Sequence, residues 1–339
     1  MKKLINIALI IGIISACTKS GIQYEHPGEI SFLPVAARPT KSAVTGTEYP
    51  KDQAHNFRVW SWWGDVPAGT SLSDFPTYAE MYINKGEFTN KSSNNWGGVT
   101  PYYWPTKGSL MFAGYSPADA QAINFSYSWT NQAMTIDTYT QSSDISKTHD
   151  LMWFDVTERS YLDNTNMNSS GDDVSGVPVV FKHLLSWLTF KFHIKEGVYS
   201  TYIITEVKLK NIETEANFNS KPAAQQSEWT DHYMTGDVPI WSGVQEIGSE
   251  PVVLESTGNG VIVIPQSCAA EHAQLEITYK TSESEPAQTK TVYLTAGADG
   301  HEWKLAKHYT YTMTFGSNEI LVQPEVNDWN TVSVDIEVQ

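Results

Sequence analysis

Apolar and polar residues alternate through much of the chain, and the clearest example lies at residues 188–194. There every second side chain is apolar, as Leu188, Phe190 and Phe192 show, while the residues between them are polar or charged. A period of two is typical of a β-strand with one buried face. The segment just before it, residues 181–187, fits a helical spacing as well as a strand spacing, so a turn of helix and a bulged strand are both open there.

Further alternating runs are separated by turn residues and predict more strands. They lie at residues 30–35, 57–63, 110–115, 133–139, 151–156, 207–209, 261–264, 275–279, 309–315 and 332–338. Pro34 in the first of them suggests an edge position, because proline cannot donate a ladder hydrogen bond. Residues 211–260 are rich in turn formers and are expected to be mostly loop. So many strands with few helical patterns indicate an all-β fold of antiparallel β-sandwiches.

A polar stretch at residues 163–176 divides these strands into two sets. Its sequence, DNTNMNSSGDDVSG, has almost no apolar residues and many turn formers, which is typical of a linker or a long loop. A chain of 339 residues also fits two domains better than one, at about 100–200 residues per domain. We therefore predict two tandem β-sandwich domains, an N-terminal one over residues 18–177 and a C-terminal one over residues 178–339.

The first 17 residues resemble an export signal. Two lysines precede an apolar run at residues 4–14, and two small residues come directly before Cys17. The apolar run is too short to cross a bilayer as a permanent helix. Residues 14–17 resemble a bacterial lipobox, which implies that Cys17 carries acyl chains such as palmitate and becomes the first mature residue. Several acyl chains anchor a protein stably. An ordinary signal peptide that happens to contain a cysteine is the alternative.

Charge and cysteine content narrow the class of protein. Removing residues 1–17 takes away two lysines and no acids, so the formal charge changes from −16 to −18. Such a chain is repelled by nucleic acid and by anionic lipid head groups, and we exclude both as partners. Cys17 and Cys268 are the only cysteines. If the first carries lipid, no disulfide can form within the chain, and apolar cores must stabilise it.

Sequence motifs of catalysis, metal binding and cofactor binding are missing. No zinc-protease, nucleophile-elbow, phosphate-loop or dinucleotide motif occurs, and the polar stretch does not give the spacing of an EF-hand calcium loop. Cys268 and His272 are four residues apart and suit a nucleophile with its base, but an inert, half-buried thiol in a turn is our interpretation. We predict that the chain is not an enzyme and binds no cofactor and no metal.

Tryptophans in the N-terminal half allow a second function. Trp60, Trp62, Trp96 and Trp104 would form a sugar-stacking platform if they shared one open face, and the chain would then be a surface glycan-binding lipoprotein. Alternate aromatic residues in a strand more often face a core. The exposure of these four side chains separates the two interpretations.

Several segments, in their order along the chain, are similar to the fimbrillin-like proteins. These are the lipoprotein subunits of type V pili of anaerobic gut and oral bacteria. The similar segments are the lipobox, ISFLPV at residues 30–35, YWP at 103–105, YSP at 115–117, HDLM at 149–152, FKH at 181–183, IPQ at 264–266, YTY at 309–311 and DW at 328–329. The resemblance extends from Cys17 to the C-terminus.

The resemblance implies two transthyretin-like β-sandwich domains and a cell-adhesion role without enzymatic activity. It implies a lipid anchor in the outer membrane, surface exposure, and a place in the fimbrium if the chain polymerises. The partners would be other pilus subunits, joined by strand exchange, and a host or bacterial surface ligand of unspecified chemistry. Exchange in the family follows cleavage after an arginine or lysine near the first strand. Arg38 precedes Pro39, which disfavours cleavage, so Lys41 and Arg58 are further candidates.

The last alternating run supplies a candidate donor strand for such an exchange. Residues 331–338 contain no glycine or proline and end one residue before the terminus. A free end of this kind can pair with another subunit, because no downstream chain must follow it. The apolar side chains that would enter the neighbour are Val332, Val334, Ile336 and Val338.

Overall fold

The computed structural model describes residues 28–36, 49–50, 53–67, 70–92, 95–119, 123–160, 176–224, 228–256, 260–269, 272–317 and 319–329. Within these ranges the chain forms twenty strands and four short 3-10 helices, and no α-helix. The prediction of an all-β fold is confirmed. No helix in these ranges has the length and apolar character needed to cross a membrane.

The strands are numbered in chain order. The first ten are β1 Ser31–Ala36, β2 Phe57–Gly64, β3 Glu80–Ser92, β4 Asn95–Gly98, β5 Ser109–Ser116, β6 Phe125–Ser128, β7 Ala133–Thr140, β8 Met152–Ser160, β9 Val177–His183 and β10 Ser186–Ile194. The other ten are β11 Tyr202–Glu213, β12 Glu215–Asn219, β13 Trp229–Thr230, β14 Thr235–Ile247, β15 Val252–Val253, β16 Val261–Val263, β17 Gln274–Lys280, β18 Gln288–Tyr293, β19 Lys307–Phe315 and β20 Ile320–Asp328. The 3-10 helices are Gln53–His55, Leu72–Asp74, Ile145–Lys147 and Gly297–Asp299.

Seven strands close into a barrel in the order β1-β4-β3-β2-β5-β8-β9. Its interior is filled largely by aromatic rings, because every second residue of each strand points inward. β1 closes the ring by pairing antiparallel with β4 and parallel with β9. Closure pairs each of the seven strands with a neighbour on both sides over at least part of its length. The inward side chains include Phe32, Phe57, Phe88, Trp96, Trp104, Phe112, Phe154 and Phe181.

Two sheets face each other in the C-terminal half and enclose a second core. One has the order β15-β10-β19-β20, with β16 also on β10, and the other has the order β14-β11-β17-β18. The predicted alternation in β10 is confirmed, since Leu188, Phe190 and Phe192 are buried while Thr189 and Lys191 are partly exposed. The ambiguous segment 181–187 is strand on both sides of Leu184 and Leu185, and no helix forms there.

A third apolar core joins the two halves. The sheet β13-β12-β7-β6 takes two strands from each side of residue 177 and covers the outer face of the barrel. β9 crosses the predicted boundary between residues 177 and 178, and it pairs with β1 and β8 of the barrel. By strand pairing, the barrel therefore ends at His183. The finer prediction of two separate transthyretin-like sandwiches stays a prediction.

Candidate functional site

β1 lies in a groove whose walls are β4 and β9. Residues Phe32 to Ala36 pair with Val177 to Phe181, and Phe32 also pairs with Trp96 of β4. β4 pairs only with the first two residues of β1, so within the described ranges Pro34 has a strand on one side alone. The edge position suggested by this proline therefore holds locally, although β1 is part of a closed ring.

The side chain of Phe32 fills the centre of this groove. It is fully buried, and its ring centroid lies 4.8–6.2 Å from those of four other phenylalanines. Three of the four contacts are edge-to-face, the arrangement that aromatic pairs favour. The rings in contact are Phe57, Phe88, Phe112 and Phe154. The floor of the groove is therefore a continuous apolar surface.

Tyr49 packs against the barrel and so holds the chain that follows β1 in place. Its buried ring stacks on Phe181 at 4.8 Å and meets Trp96 edge-on at 5.3 Å, and its hydroxyl donates a hydrogen bond to the His55 carbonyl. The processing candidates Arg38 and Lys41 lie between β1 and Tyr49, outside the described residues. A cut there separates β1 covalently from the barrel, while Tyr49 keeps the rest of the chain in place.

Arg58 is not available as a processing site in the folded barrel, which corrects that candidate. It lies inside β2, paired with β3 on one side and β5 on the other. Its guanidinium donates hydrogen bonds to the carbonyls of Ala118 and Lys85 and forms an ion pair with Glu87 at 3.2 Å. Cleavage after Arg58 would require the barrel to open first.

The sugar-stacking platform is contradicted by the burial of its four tryptophans. Trp60 and Trp62 are 3% and 2% exposed, and both Trp96 and Trp104 are fully buried. Trp96 and Trp104 point into the barrel, whereas Trp60 and Trp62 point outward into the third core. Both faces of β2 are therefore covered, and the four rings share no open face.

Other large side chains are exposed that the sequence did not single out. Tyr199, in the loop between β10 and β11, is 98% exposed. These side chains lie mostly in loops and at strand ends, where no periodic pattern marks them. The most exposed are Tyr78, Val99, Tyr199, Tyr233, Met234, Val244 and Tyr293.

Cys268 has the environment of an inert thiol. Its side chain is buried, and burial raises the pKa of the thiol to about 11. A thiol with so high a pKa is almost entirely protonated at neutral pH and is a poor nucleophile. Among the residues that the structure describes, no group of three or more histidine, cysteine, aspartate or glutamate side chains is arranged to hold a metal ion.

A polar cleft of about 470 Å³ opens where β11, β13 and the 299–302 turn meet. It contains an ion pair in which His232 Nδ1 lies 2.7 Å from Glu213 Oε2. The Glu213 carboxylate beside it raises the pKa of His232, against a smaller lowering from burial. The lining residues are Glu213, Trp229, His232, Gln266, Ser267, Asp299, His301 and Glu302.

This ion pair makes the stability of the fold depend on pH. A histidine pKa that is raised in the folded state stabilises the fold below the unfolded-state value of about 6.5, and the stabilisation is lost as the pH rises through the folded-state value. We expect His232→Asn to lower the free energy of unfolding by at most about 1 kcal/mol near pH 6, and hardly at all near pH 9. Thermal melts at both pH values measure this. His301→Asn at the same cleft is the control, and an equal loss at both pH values would contradict the assignment.

Comparison with known proteins agrees with this architecture. The fimbrillin-like family model matches residues 53–329. A fimbrial protein from Bacteroides vulgatus has a similar structure, with a TM-score of 0.55 at 15% identity over 81% of this chain and 93% of that one. A candidate cell adhesion protein from Bacteroides ovatus has a TM-score of 0.55 at 14% identity, over 91% of this chain and 100% of that one. Another, from Bacteroides uniformis, has a TM-score of 0.51 at 17% identity, over 89% of this chain and 98% of that one.

No curated protein sequence matches the chain. At such low identities the solved structures show a common fold and no more. The family model, by contrast, spans well over half of the residues and covers the sandwich and six of the seven barrel strands, all but β1. The chain therefore belongs to the fimbrillin-like family.

Proposed function

We propose that this chain is a pilus component or pilus-associated cell-adhesion lipoprotein that assembles by β-strand donation. The observation that carries the proposal is the position of β1. It closes the barrel from the N-terminal side, buries Phe32 among four phenylalanine rings, and precedes the basic residues Arg38 and Lys41. We assign the chain no enzymatic role.

Removal of β1 would turn a closed barrel into an acceptor. The backbone groups of β4 and β9 that now pair with β1 would lose their partners, and the phenylalanine floor would meet water. Unpaired strand edges above an apolar groove bind an extended segment through main-chain hydrogen bonds and side-chain pockets. A strand from another subunit would both pair with the free backbone groups and cover the apolar floor.

The C-terminal segment has the pattern that this groove accepts. Phe32 and Pro34 of β1, together with Ile30 just before it, are buried and lie two residues apart. Residues 332–338, which lie outside the described residues, repeat an apolar side chain at the same spacing. Donor and acceptor lie at different places on one chain, so the contact is head-to-tail and propagates into a filament. An unprocessed subunit keeps β1 and would act as an anchor, tip or accessory subunit.

Lipidation at Cys17 would place the precursor in the outer membrane, exposed at the cell surface. The proposal rests on the lipobox-like residues 14–17, which lie outside the described residues. In this scheme the lipid retains the N-terminal segment at the membrane, and a cut after Lys41 or Arg38 releases the barrel for assembly. A polymerised subunit would then reside in the fimbrium.

The mature N-terminus isolated from cells tests the scheme. We expect mass spectrometry to find either acylated Cys17 on membrane-bound protein or a new N-terminus directly after Lys41 or Arg38 on polymerised protein. If acylated Cys17 is the only N-terminus found, the chain is an anchor or accessory subunit. Cys17→Ala, the matched control, should release the protein from membranes or leave the precursor uncleaved. A mature, membrane-bound Cys17→Ala protein would contradict the lipid anchor.

A further inference from the structure

Three sequence segments that are far apart in the chain meet between the barrel and the sandwich. His183 Nδ1 lies 2.8 Å from Asp150 Oδ1, and the imidazole stacks on the indole of Trp329 with ring centroids 4.2 Å apart and an interplanar angle of 11°. The His183 side chain is fully buried, and Trp329 is 1% exposed. We refer to Asp150, His183 and Trp329 as the junction cluster.

A second stacked pair extends the cluster into the sandwich. Trp187 lies 5.9 Å from Trp329 and stacks on His308 at 3.7 Å. Gly260 makes room for the Trp187 ring, because a Cβ atom at this residue would lie 1.7 Å from the indole nitrogen. The rings therefore form a continuous row from the end of β9 to the start of β19.

Backbone hydrogen bonds follow the same row. The two residues that link β9 to β10 are both buried, and Leu184 donates to the Leu151 carbonyl at 2.8 Å. Ala306 donates to the Leu185 carbonyl at 3.1 Å, and Trp329 donates to the Ala306 carbonyl at 2.8 Å. The residue that follows β20 is thus tied to the connection between barrel and sandwich.

The junction cluster contains buried polar atoms that a purely apolar core would lack. Among the described residues, Asp150 Oδ2, His183 Nε2 and Trp329 Nε1 are buried without a hydrogen-bond partner. A buried polar group without a partner is destabilising, and a well-packed hydrophobic replacement is often more stable. Such a destabilising cluster is expected where a fixed geometry matters more than the stability of the fold.

β20 is poorly built to resist tension by itself. Among the described strands it pairs with β19 alone, and it contains Pro324. Its pairing with β19 runs from Ile320 at the turn to Asp328 at the open end. A pull on the chain after residue 329 would act at this open end, and would separate the rungs one after another. Trp329 lies at that end, against His183 of β9.

We propose that the junction cluster is a mechanical clamp for the C-terminal segment. This rests on the proposed function, because only strand donation brings tension in through residues 330–339. The clamp passes that tension from Trp329 directly to β9, the strand that forms one wall of the acceptor groove. The load therefore crosses the subunit between its two exchange points without peeling β20 from the sandwich.

Single-molecule pulling on the full-length monomer tests the clamp. Handles are attached at the C-terminal residue and at Tyr103→Cys on the barrel surface. In the otherwise unmodified chain we expect β20 to stay attached until the sandwich unfolds. In Trp329→Leu we expect an earlier, weaker event that releases the nine residues of β20, a gain of about 30 Å in contour length.

Two further variants and a second pulling direction keep the test specific. Trp303→Leu removes an equally buried tryptophan from the sandwich core and should show no early event. Trp329→Phe keeps a stacked ring and should restore part of the resistance, and it carries the test should Trp329→Leu fail to fold. Pulling between Tyr103→Cys and Tyr199→Cys should be insensitive to Trp329.

The clamp is overturned if the Trp329 variants release β20 at the same force as the parent chain, or if Trp303→Leu produces the same early event. The measurement uses monomers, so its outcome does not depend on assembly. A chain that never polymerises in cells would contradict strand donation and leave the pulling result standing. Unchanged pulling traces would contradict the clamp alone.

Discussion

Replacing Val334 and Ile336 together by aspartate should abolish the polymer ladders of the processed protein and leave the monomer secreted. In the proposed exchange both side chains enter the apolar groove that β1 vacates. An ionised carboxylate placed there without a partner costs several kcal/mol, more than main-chain pairing of a short strand can offset. Gel electrophoresis of surface protein without heating shows whether the ladders persist.

The matched control changes the opposite face of the same segment. Ser333→Asp adds a negative charge one residue away, on the face that would meet solvent, and should leave the ladders intact. Unchanged ladders in the double variant would show that residues 331–338 are not the donor. A parent protein that forms no ladders would favour the anchor or accessory role.

Truncating Phe32 to alanine should destabilise the unprocessed chain by about 3–5 kcal/mol, the usual cost of removing a fully buried phenylalanine. The loss is large because the side chain contacts four other rings and no neighbour can collapse into the space without disturbing the barrel. It approaches the lower end of the roughly 5–15 kcal/mol by which native proteins are stable. Urea unfolding followed by tryptophan fluorescence measures the difference.

Leu33→Ala on the same strand is the control for this prediction. Leu33 is only partly buried and points away from the barrel core, so its truncation should cost clearly less. Equal losses from both variants would mean that β1 is held by its backbone pairing alone. A loss of under about 1 kcal/mol from Phe32→Ala would contradict the central place of this side chain in the groove.

The sequence predicted strands well where one face of a strand is buried. β10 is an example, because Leu188, Phe190 and Phe192 all face the same core. It predicted a loop at β14, whose pairing with β11 is interrupted by bulges and whose central residues include Pro239 and Gly243. β20 was missed for a related reason, since it is an exposed edge strand that contains Pro324.

The candidate site was harder to predict, because long-range pairing creates it. The run at residues 30–35 indicated a strand, but nothing local reveals that its partner is β9, more than 140 residues later. The sugar-stacking prediction for the tryptophans was wrong for the same reason. Bulk on both faces of β2 was visible in the sequence, whereas the sheet that covers Trp60 and Trp62 is formed by β6, β7, β12 and β13.

Capture of the C-terminal segment by a barrel that has lost β1 tests the central claim most directly. A protease site introduced within residues 37–48 allows β1 to be cut off, and a labelled synthetic peptide of residues 330–339 serves as the probe. The account predicts stable capture by the cut protein, no capture by the intact protein, and no capture of the peptide that carries Val334→Asp and Ile336→Asp. A cut barrel that stays folded but ignores the peptide, or an intact barrel that binds it equally well, would contradict strand donation.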